Sequence, residues 1–394
     1  MRMRKATATL AGLLLAGVAA TPAHADTIRS QQWHLTSMKA EEIWKSSTGK
    51  GVTVALIDTG VGQLSELEGQ VLPGKDYATT YDGDERTDSD RHGTTMAALI
   101  AGTGQHPSGD GAFGLAPGAK ILPIRVPQGV SESDPLWTEA IRYAADSDAK
   151  VINISMATSV EDPARLDAVK YALSKGKLIF AGVGNAGDGA NRVMYPAATP
   201  GVVGVGAVDR QGKVTAESQH GSQVDLSAPG MDIVTGCAGK TGLCTSHGTS
   251  DATALASASA ALIWSAHPDW TNNQVLRVLM NTAGKPTDGA ARSDFVGYGI
   301  VRPRIAVPTP GDPGPADVYP LPDLAAAGAG TGTKAPSTGS STSSEAAAPA
   351  PQADAKKDDG GGSNLPYVGL ALGLGACLLI GGAVTAVVVR RRSR

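Results

Sequence analysis

Three residues far apart in the sequence carry the side chains that nucleophilic acyl transfer needs. Asp58 follows an apolar run, His92 begins a stretch of small residues, and Ser250 precedes a long apolar segment. A serine hydroxyl needs a base to take its proton, and a histidine base needs a carboxylate to hold its tautomer. Taken singly, the three have simpler explanations, namely an aspartate turn, a structural histidine and a helix-capping serine. Together, at a strand end and at helix starts, they predict a catalytic triad.

The segments between these residues alternate between strand and helix patterns. Four apolar runs predict buried strands: residues 52–57, 120–126, 151–154 and 178–181. Asp134-Pro135 and Asp162-Pro163 have the N-cap and first-turn signature of helices. Strands that alternate with helices predict right-handed crossovers, a mostly parallel central sheet and an α/β fold. Chemistry in such sheets lies beyond the carboxyl ends of the strands, where Asp58 stands.

The motifs around the three residues resemble those of the subtilisin-like (S8) serine proteases. The aspartate motif matches residues 54–61, the histidine motif residues 92–102 and the serine motif residues 248–250. The order Asp, His, Ser along the chain is also that of the family. The resemblance covers about residues 45–305 and implies a three-layer subtilisin-like fold. It also implies that Asp58, His92 and Ser250 are catalytic in a serine endopeptidase.

The same resemblance assigns further residues of the site. Asn185 would stabilise the oxyanion of acyl transfer together with the Ser250 backbone amide at a helix N-terminus. Two segments would line the pocket for the P1 side chain: Ser155, Met156, Ala157 and Gly182, Val183, Gly184. Ala157 and Val183 stand where Gly and Ala are more usual in the family. We therefore expect a narrow pocket that prefers small or medium P1 side chains.

Three positions depart from the family pattern. Thr95 stands where a second histidine is usual, Ala254 replaces a usual proline, and Asp251 follows the nucleophile in place of an apolar or small residue. A carboxylate in the first helical turn favours the helix dipole, but it opposes an oxyanion if it points inward. His247, three residues before Ser250, is predicted to be a loop histidine rather than the base. These departures bear on catalytic efficiency rather than on the type of reaction.

The two ends of the chain predict export and membrane attachment. Residues 1–25 have the basic start, short apolar run and Ala-His-Ala site of a secretory signal peptide. Residues 308–364, rich in Pro, Gly, Ala and Ser, predict a disordered tether. Residues 365–389 predict a transmembrane helix, and the basic residues 390–394 predict a cytoplasmic tail. The catalytic domain with its N-terminal extension is then residues 26–307, outside the cytoplasm at the cell membrane.

This layout, with the segment 29–35, is similar to that of the mycosins, membrane-anchored subtilisin-like proteases of type VII secretion. The resemblance implies that the substrates are secreted or cell-envelope proteins and that the chain associates with a type VII secretion membrane complex. A paralogous surface protease would have the same layout. A catalytically weak or inactive scaffold in such a complex is the alternative function. The net charge of -3 argues against a nucleic-acid partner. The predicted chemistry requires no cofactor or metal, and structural calcium sites cannot be read from the sequence.

Two cysteines lie outside the predicted membrane span. In an oxidising compartment we expect Cys237 and Cys244 to pair, which would contribute about 2.5 kcal/mol in the chain-entropy model. Two cysteines alone do not predict a zinc site, since structural zinc usually takes four ligands. The segment between Asp26 and Asp58 is too short for an independent prodomain. We expect it to pack against the catalytic domain without inhibiting it.

Overall fold

The computed structural model describes residues 27–127, 136–239 and 241–329. The predicted signal peptide, transmembrane helix and basic tail lie outside these ranges, as does the predicted tether from residue 330 onward. Within the ranges, no helix is long and apolar enough to cross a membrane.

A parallel sheet runs through the centre of the domain. Its seven strands in the described residues follow the order β2-β3-β1-β4-β5-β6-β7, and every pairing is parallel. They are β1 (Thr53–Asp58), β2 (Lys75–Asp76), β3 (Lys120–Arg125), β4 (Val151–Ile154), β5 (Leu178–Gly182), β6 (Val203–Val208) and β7 (Leu226–Pro229). A separate antiparallel hairpin consists of β8 (Ile233–Gly236) and β9 (Leu243–Ser246). The predicted mostly parallel sheet is therefore confirmed.

Helices cover both faces of the sheet. They are α1 (Ile28–Gln31), α2 (Trp33–Ser37), α3 (Ala40–Ile43), α4 (His92–Ala101), α5 (Leu136–Asp146), α6 (Pro163–Ser174), α7 (Thr249–Ala266), α8 (Asn272–Thr282), α9 (Pro303–Ala306) and α10 (Asp323–Ala329). The Asp162 side chain accepts a hydrogen bond from the Ala164 amide at 2.9 Å and caps α6, as its sequence predicts. The Asp134-Pro135 signal before α5 lies outside the described residues.

Alternating side chains of the central strand divide the core into two layers. Val54 and Leu56 of β1 pack with α4, α7 and α8, whereas Ala55 and Ile57 pack with α5 and α6. Helix α7 is buried along most of its length, since small residues let it lie close to α4 and the sheet. This three-layer arrangement brings the N-termini of α4 and α7 to the site described below.

The N-terminal segment is part of the same core. The Gln32 side chain donates to the Phe113 carbonyl at 2.7 Å and accepts from the Phe113 amide at 3.1 Å. The Trp33 indole donates to the Asp232 carbonyl at 3.0 Å, and Leu35 is fully buried. The expectation that this segment packs against the catalytic domain is confirmed.

The C-terminal segment 308–329 departs from the predicted tether. The Arg277 guanidinium donates to the Pro313 carbonyl at 2.8 Å, and the Tyr319 hydroxyl donates to a carbonyl of the loop before β6 at 2.9 Å. Leu321 is buried in the core. The prediction that disorder begins at residue 308 was wrong for this part. The amino-acid composition did not indicate that residues 308–329 pack on the domain, because most of these contacts use backbone carbonyls rather than apolar side chains.

The hairpin of β8 and β9 brings the two predicted partner cysteines together. Cys237 and Cys244 have their Cα atoms 6.0 Å apart with their sulfur atoms in bonding contact. This Cα separation is typical of bridged cysteines. The hairpin therefore supplies the arrangement that the predicted disulfide requires.

Candidate active site

Asp58 and His92 meet at the carboxyl edge of the sheet. Asp58 ends β1 and is fully buried, and His92 is the first residue of α4. The His92 Nδ1 atom lies 2.7 Å from Asp58 Oδ1, which also accepts from the Thr59 amide at 2.8 Å. A hydrogen bond from Nδ1 to a carboxylate leaves Nε2 unprotonated in the neutral ring, as a base requires. The His92 side chain is 31% exposed and so accessible from the cleft.

The charge state of His92 is set by opposing effects. Burial disfavours the charged ring, but the charge and hydrogen bond of Asp58 favour it, with further contributions from Asp251 and Asp90. The carboxylates prevail and raise the pKa of His92 above its ordinary value. The site therefore stabilises an imidazolium, which is the species that a general base becomes when it takes a proton.

Asp88 joins the loop that follows Asp58 to the helix that begins with His92, and its role was not predicted from the sequence. Its Oδ1 atom accepts from the Thr59 hydroxyl at 2.8 Å, and Oδ2 accepts from the Thr94 amide at 2.8 Å. Thr59 follows Asp58 and Thr94 lies in the first turn of α4, so Asp88 ties the loop after β1 to the helix. Asp88 lies three residues before Arg91, the N-cap of α4, so the usual capping pattern does not identify it.

Ser250 is the second residue of α7, directly after a glycine turn. Gly248 has a φ of 122°, and a Cβ atom there would lie 2.8 Å from Asn185 Nδ2. The position therefore requires glycine on both counts. The Ser250 hydroxyl donates to the Ser155 carbonyl at 3.1 Å, and in the described residues this carbonyl, not the His92 ring, is its hydrogen-bond partner. Hydrogen bonds of catalytic groups are often loose without substrate and tighten in the complex.

A polar network fixes the start of α7 against the end of β4. Ser257 donates to Asn153 Oδ1 at 2.9 Å, and Asn153 Nδ2 donates to the Ser155 hydroxyl at 2.9 Å. The Ser155 hydroxyl in turn donates to the Ser250 carbonyl at 3.3 Å. Asn153 and Ser257 are fully buried. These hydrogen bonds join the start of α7, which carries the nucleophile candidate, to the end of β4.

Asn185 lies in the loop after β5 with its amide oriented by Thr249. Its Oδ1 atom accepts from the Thr249 backbone amide at 2.8 Å and from the Thr249 hydroxyl at 2.9 Å. Since both contacts use the oxygen, the Nδ2 group remains as a donor in the cavity that Asn185 lines with Ser250. The Ser250 backbone N–H belongs to the first helical turn, where amides lack helical acceptors. Two donors are therefore available beside the Ser250 hydroxyl.

A cavity of about 280 Å³ lies next to these groups. It is lined by Ser155, Met156, Ala157, Gly182, Gly184, Asn185, Ala186, Ala190, Arg192, Met194, Gln219, Thr249 and Ser250. Five of the six residues predicted for the P1 pocket are among them. Val183 is not, because its side chain points away from the cavity and is buried in the α5 and α6 layer. The inference that Val183 narrows the pocket was therefore wrong.

Of the positions that depart from the family pattern, Ala254 is buried in the core, and Thr95 and Asp251 form local hydrogen bonds. The Thr95 hydroxyl donates to the Arg91 carbonyl at 2.8 Å within α4. Asp251 is fully buried and is not among the residues that line the cavity. The His247 ring lies 2.9 Å from the Glu217 carboxylate and is 63% exposed, in keeping with the predicted loop histidine. No set of three His, Cys, Asp or Glu side chains in the described ranges could hold a metal ion.

The site residues form two groups: a buried aspartate hydrogen-bonded to a histidine, and a serine at a helix start that lines a cavity with an oriented amide. The model of the Subtilase family (peptidase S8) matches residues 49–299. The chain therefore belongs to this family of serine endopeptidases.

Within the family, the similarity to mycosins expected from the sequence is confirmed. Mycosin-1 from Mycolicibacterium smegmatis is 30% identical over 331 residues, which cover 70% of this chain and 72% of that protein. The crystal structure of MycP1 from Mycobacterium smegmatis superposes with a TM-score of 0.63 at 29% identity, over 73% of this chain and 87% of the other. A chain in the periplasmic assembly of the ESX-5 inner membrane complex has a TM-score of 0.64 at 28% identity, over 82% and 92%.

Secreted bacterial subtilases are also similar. The minor extracellular protease Epr of Bacillus subtilis is 31% identical over 274 residues, which cover 69% of this chain. The aligned part is 41% of the length of Epr. The similarity to Epr therefore concerns the catalytic domain.

Proposed function

We propose that Asp58, His92 and Ser250 are a catalytic triad that hydrolyses peptide bonds, with Asn185 as an oxyanion donor. The single observation that carries the proposal is the 2.7 Å contact between His92 Nδ1 and the buried Asp58 carboxylate. A fully buried carboxylate aligned with one ring nitrogen fixes the tautomer and stabilises the imidazolium, and these are the two things a histidine base needs.

The proposed reaction uses these groups in the following steps. The Ser250 hydroxyl oxygen attacks the scissile carbonyl carbon while its proton passes to His92 Nε2. The oxyanion of the tetrahedral intermediate accepts hydrogen bonds from Asn185 Nδ2 and the Ser250 backbone N–H. The intermediate collapses, and the C–N bond breaks as His92 returns the proton to the leaving amine. Water then attacks the acyl-enzyme by the same route, which releases the new carboxylate and restores Ser250.

Triad function is tested by single and double substitutions. Ser250→Ala should reduce kcat for peptide cleavage to the small residual rate left by binding and oxyanion stabilisation. His92→Ala should be about as damaging, and the double variant should be no worse than either single one, because the two groups act as a unit. His247→Ala is the matched control and should keep its activity, since that ring is paired with Glu217. Additive losses in the double variant would contradict the assignment.

We propose that the protease domain lies outside the cytoplasm, anchored by residues 365–389, and processes secreted or cell-envelope proteins at a type VII secretion complex. Support comes from the sequence of both chain ends and from the similarity to Mycosin-1 and to a chain of the ESX-5 inner membrane complex. The anchor is tested by treating intact cells with an added protease. The domain should be degraded from outside, and deletion of residues 365–394 should release it into the medium. A domain that stays protected in intact cells would contradict this topology.

A scaffold in such a complex is the second candidate function. It is favoured by the similarity to a chain of the ESX-5 assembly and by the Ser250 hydroxyl, which bonds to Ser155 rather than to His92. Replacing the chromosomal copy by Ser250→Ala separates the two candidates. Secretion that persists with unprocessed substrates supports a protease that also stabilises the complex. No change in processing at all would favour the scaffold alone.

A further inference from the structure

Asp251 is a buried acid that the reaction above does not use. It follows Ser250 in the first turn of α7, where α7 packs against α4, the helix that begins with His92. Its side chain is fully buried, although carboxylates are rarely buried without a charged partner. A buried carboxylate next to the nucleophile in sequence can influence the charges of the site.

The contacts of Asp251 leave its carboxyl group poorly stabilised as an anion. Oδ1 accepts one hydrogen bond, from the Ser246 hydroxyl at 2.9 Å. Oδ2 is buried and has no hydrogen-bond partner among the described residues. One neutral donor does not replace the hydration of a carboxylate. Burial consequently raises the pKa of Asp251 to about 7, against the smaller opposing effects of Ser246 and the two nearby histidines.

Several ionisable groups in the described residues influence the pKa values of Asp251 and His92. Those that act on Asp251 are His92, His247 and Glu217, and those that act on His92 besides Asp251 are Asp58 and Asp90. Asp232 acts on His247. His247 is exposed, so solvent screens its pair with Glu217. Asp58 is hydrogen-bonded to His92, whereas Asp251 is a second buried acid, whose charge raises the pKa of His92.

We propose that Asp251 is a positioning residue that sets the pH at which His92 becomes a base. When Asp251 is ionised, its negative charge stabilises the protonated imidazole of His92. A higher pH is then needed to deprotonate the ring. At pH values where Asp251 is protonated, its neutral carboxyl group does not stabilise the charged imidazole. The proposal rests on the proposed function, because it takes His92 as the base. It predicts two coupled titrations on the acid side of the activity profile rather than one.

The test compares Asp251→Asn with the wild type in profiles of kcat/KM against pH. Asparagine keeps the shape and the acceptor for Ser246 but cannot ionise. The acid limb should move to lower pH by about 0.5–1 unit, as expected for one nearby charge in a partly shielded site. It should also sharpen to a single titration. Glu217→Gln, which alters the pair with the exposed His247 ring, is the control and should move the limb by less than about 0.2 unit.

A second variant keeps the test valid if Asp251→Asn does not fold. Ser246→Ala removes the donor that favours the charged carboxyl, so less Asp251 is ionised at a given pH. Its acid limb should shift in the same direction and by less. An unmoved limb in both variants, or a shift to higher pH, would overturn the proposal. A lower plateau with an unchanged limb would mean that Asp251 is structural only.

A measurement independent of activity separates this proposal from the proposed function. In the Ser250→Ala background, the His92 ring is titrated by NMR with and without Asp251→Asn. The His92 pKa should fall by about 0.5–1 unit when the acid is removed. If the wild type proves inactive but this shift appears, the triad proposal fails and the electrostatic coupling stands. If the wild type is active but the ring titrates identically in both proteins, the coupling fails.

Discussion

Replacing Asn185 by Ala isolates one donor of the proposed oxyanion site. Asn185 Oδ1 is fixed by two hydrogen bonds from Thr249, at 2.8 and 2.9 Å, so the Nδ2 group is oriented before substrate arrives. A donor that is already oriented costs no reorganisation during the reaction. Its loss should therefore affect the transition state more than the bound substrate.

The expected size follows from the number of hydrogen bonds involved. Asn185→Ala should lower kcat by about 10²–10³, or about 2.7–4 kcal/mol, with KM nearly unchanged. Thr249→Val removes the hydroxyl bond to Asn185 and also the acceptor of the Gly184 amide at 3.2 Å, while the backbone bond to Asn185 stays. One neutral hydrogen bond contributes about 0.5–1.5 kcal/mol, so kcat should fall about 2- to 10-fold. Thr249→Ser keeps the hydroxyl and is the matched control.

Steady-state kinetics with a chromogenic peptide amide separate kcat from KM for the three variants. Thermal melts of the same samples establish that each variant is folded. The reasoning would be refuted by a large rise in KM at constant kcat in Asn185→Ala, since Asn185 would then only position the substrate. It would also be refuted if Thr249→Val kept its thermal stability and yet lowered kcat as much as Asn185→Ala.

Three further predictions concern stability, specificity and the N-terminal segment. Burial raises the pKa of Asp225 to about 8, so between pH 5 and 7 the folded state holds a proton that the unfolded state has lost. The free energy of unfolding should therefore fall as the pH rises through this window. In urea titrations, Asp225→Asn should reduce this pH dependence by about 1.4 kcal/mol per pH unit. An unchanged pH dependence would contradict the raised pKa of Asp225. With Val183 outside the cavity, the expected preference for small or medium P1 side chains rests on Ala157, and it should appear in cleavage of a peptide library. A wild-type preference for P1 Phe or Lys would refute this expectation. Because Arg192 is among the residues that line the cavity, Arg192→Glu should raise kcat/KM for P1 Lys about 2- to 5-fold relative to P1 norleucine. A protein spanning residues 26–329, purified and shown by mass spectrometry to be intact, should be active. The reason is that, in the described residues, no residue before Ser155 lines the cavity. Activity that appears only after removal of residues 26–50 would show that the chain is a zymogen.

Much of the fold could be predicted from local patterns. The apolar runs identified the central strands, and Asp162-Pro163 identified the start of α6, because buried strands and capped helix starts have short-range signatures. Asp58 and His92 could be placed together because the carboxyl end of β1 and the start of α4 meet at one edge of the sheet. The order of the motifs and the topology of a parallel sheet were sufficient to predict that these two residues lie together.

Other features depend on contacts that no local pattern specifies. Met194, Arg192 and Gln219 reach the cavity from loops whose paths are set by tertiary packing. Val183 lies just beyond β5, where its orientation depends on the strand alternation and places it in the core. The C-terminal segment is held largely by Arg277 through backbone carbonyls, which every sequence offers equally. Composition and spacing carry no information on such contacts.

The central claim is that Ser250 is a nucleophile activated by His92. The most direct measurement incubates the purified protein with a serine-directed fluorophosphonate and maps the modified residue by mass spectrometry. The account predicts one label per molecule, on Ser250, in the wild type and in His247→Ala. It predicts no labelling of Ser250→Ala and a strongly slowed reaction in His92→Ala. A folded wild type that stays unlabelled at Ser250, or one that labels as fast without His92, would contradict the claim.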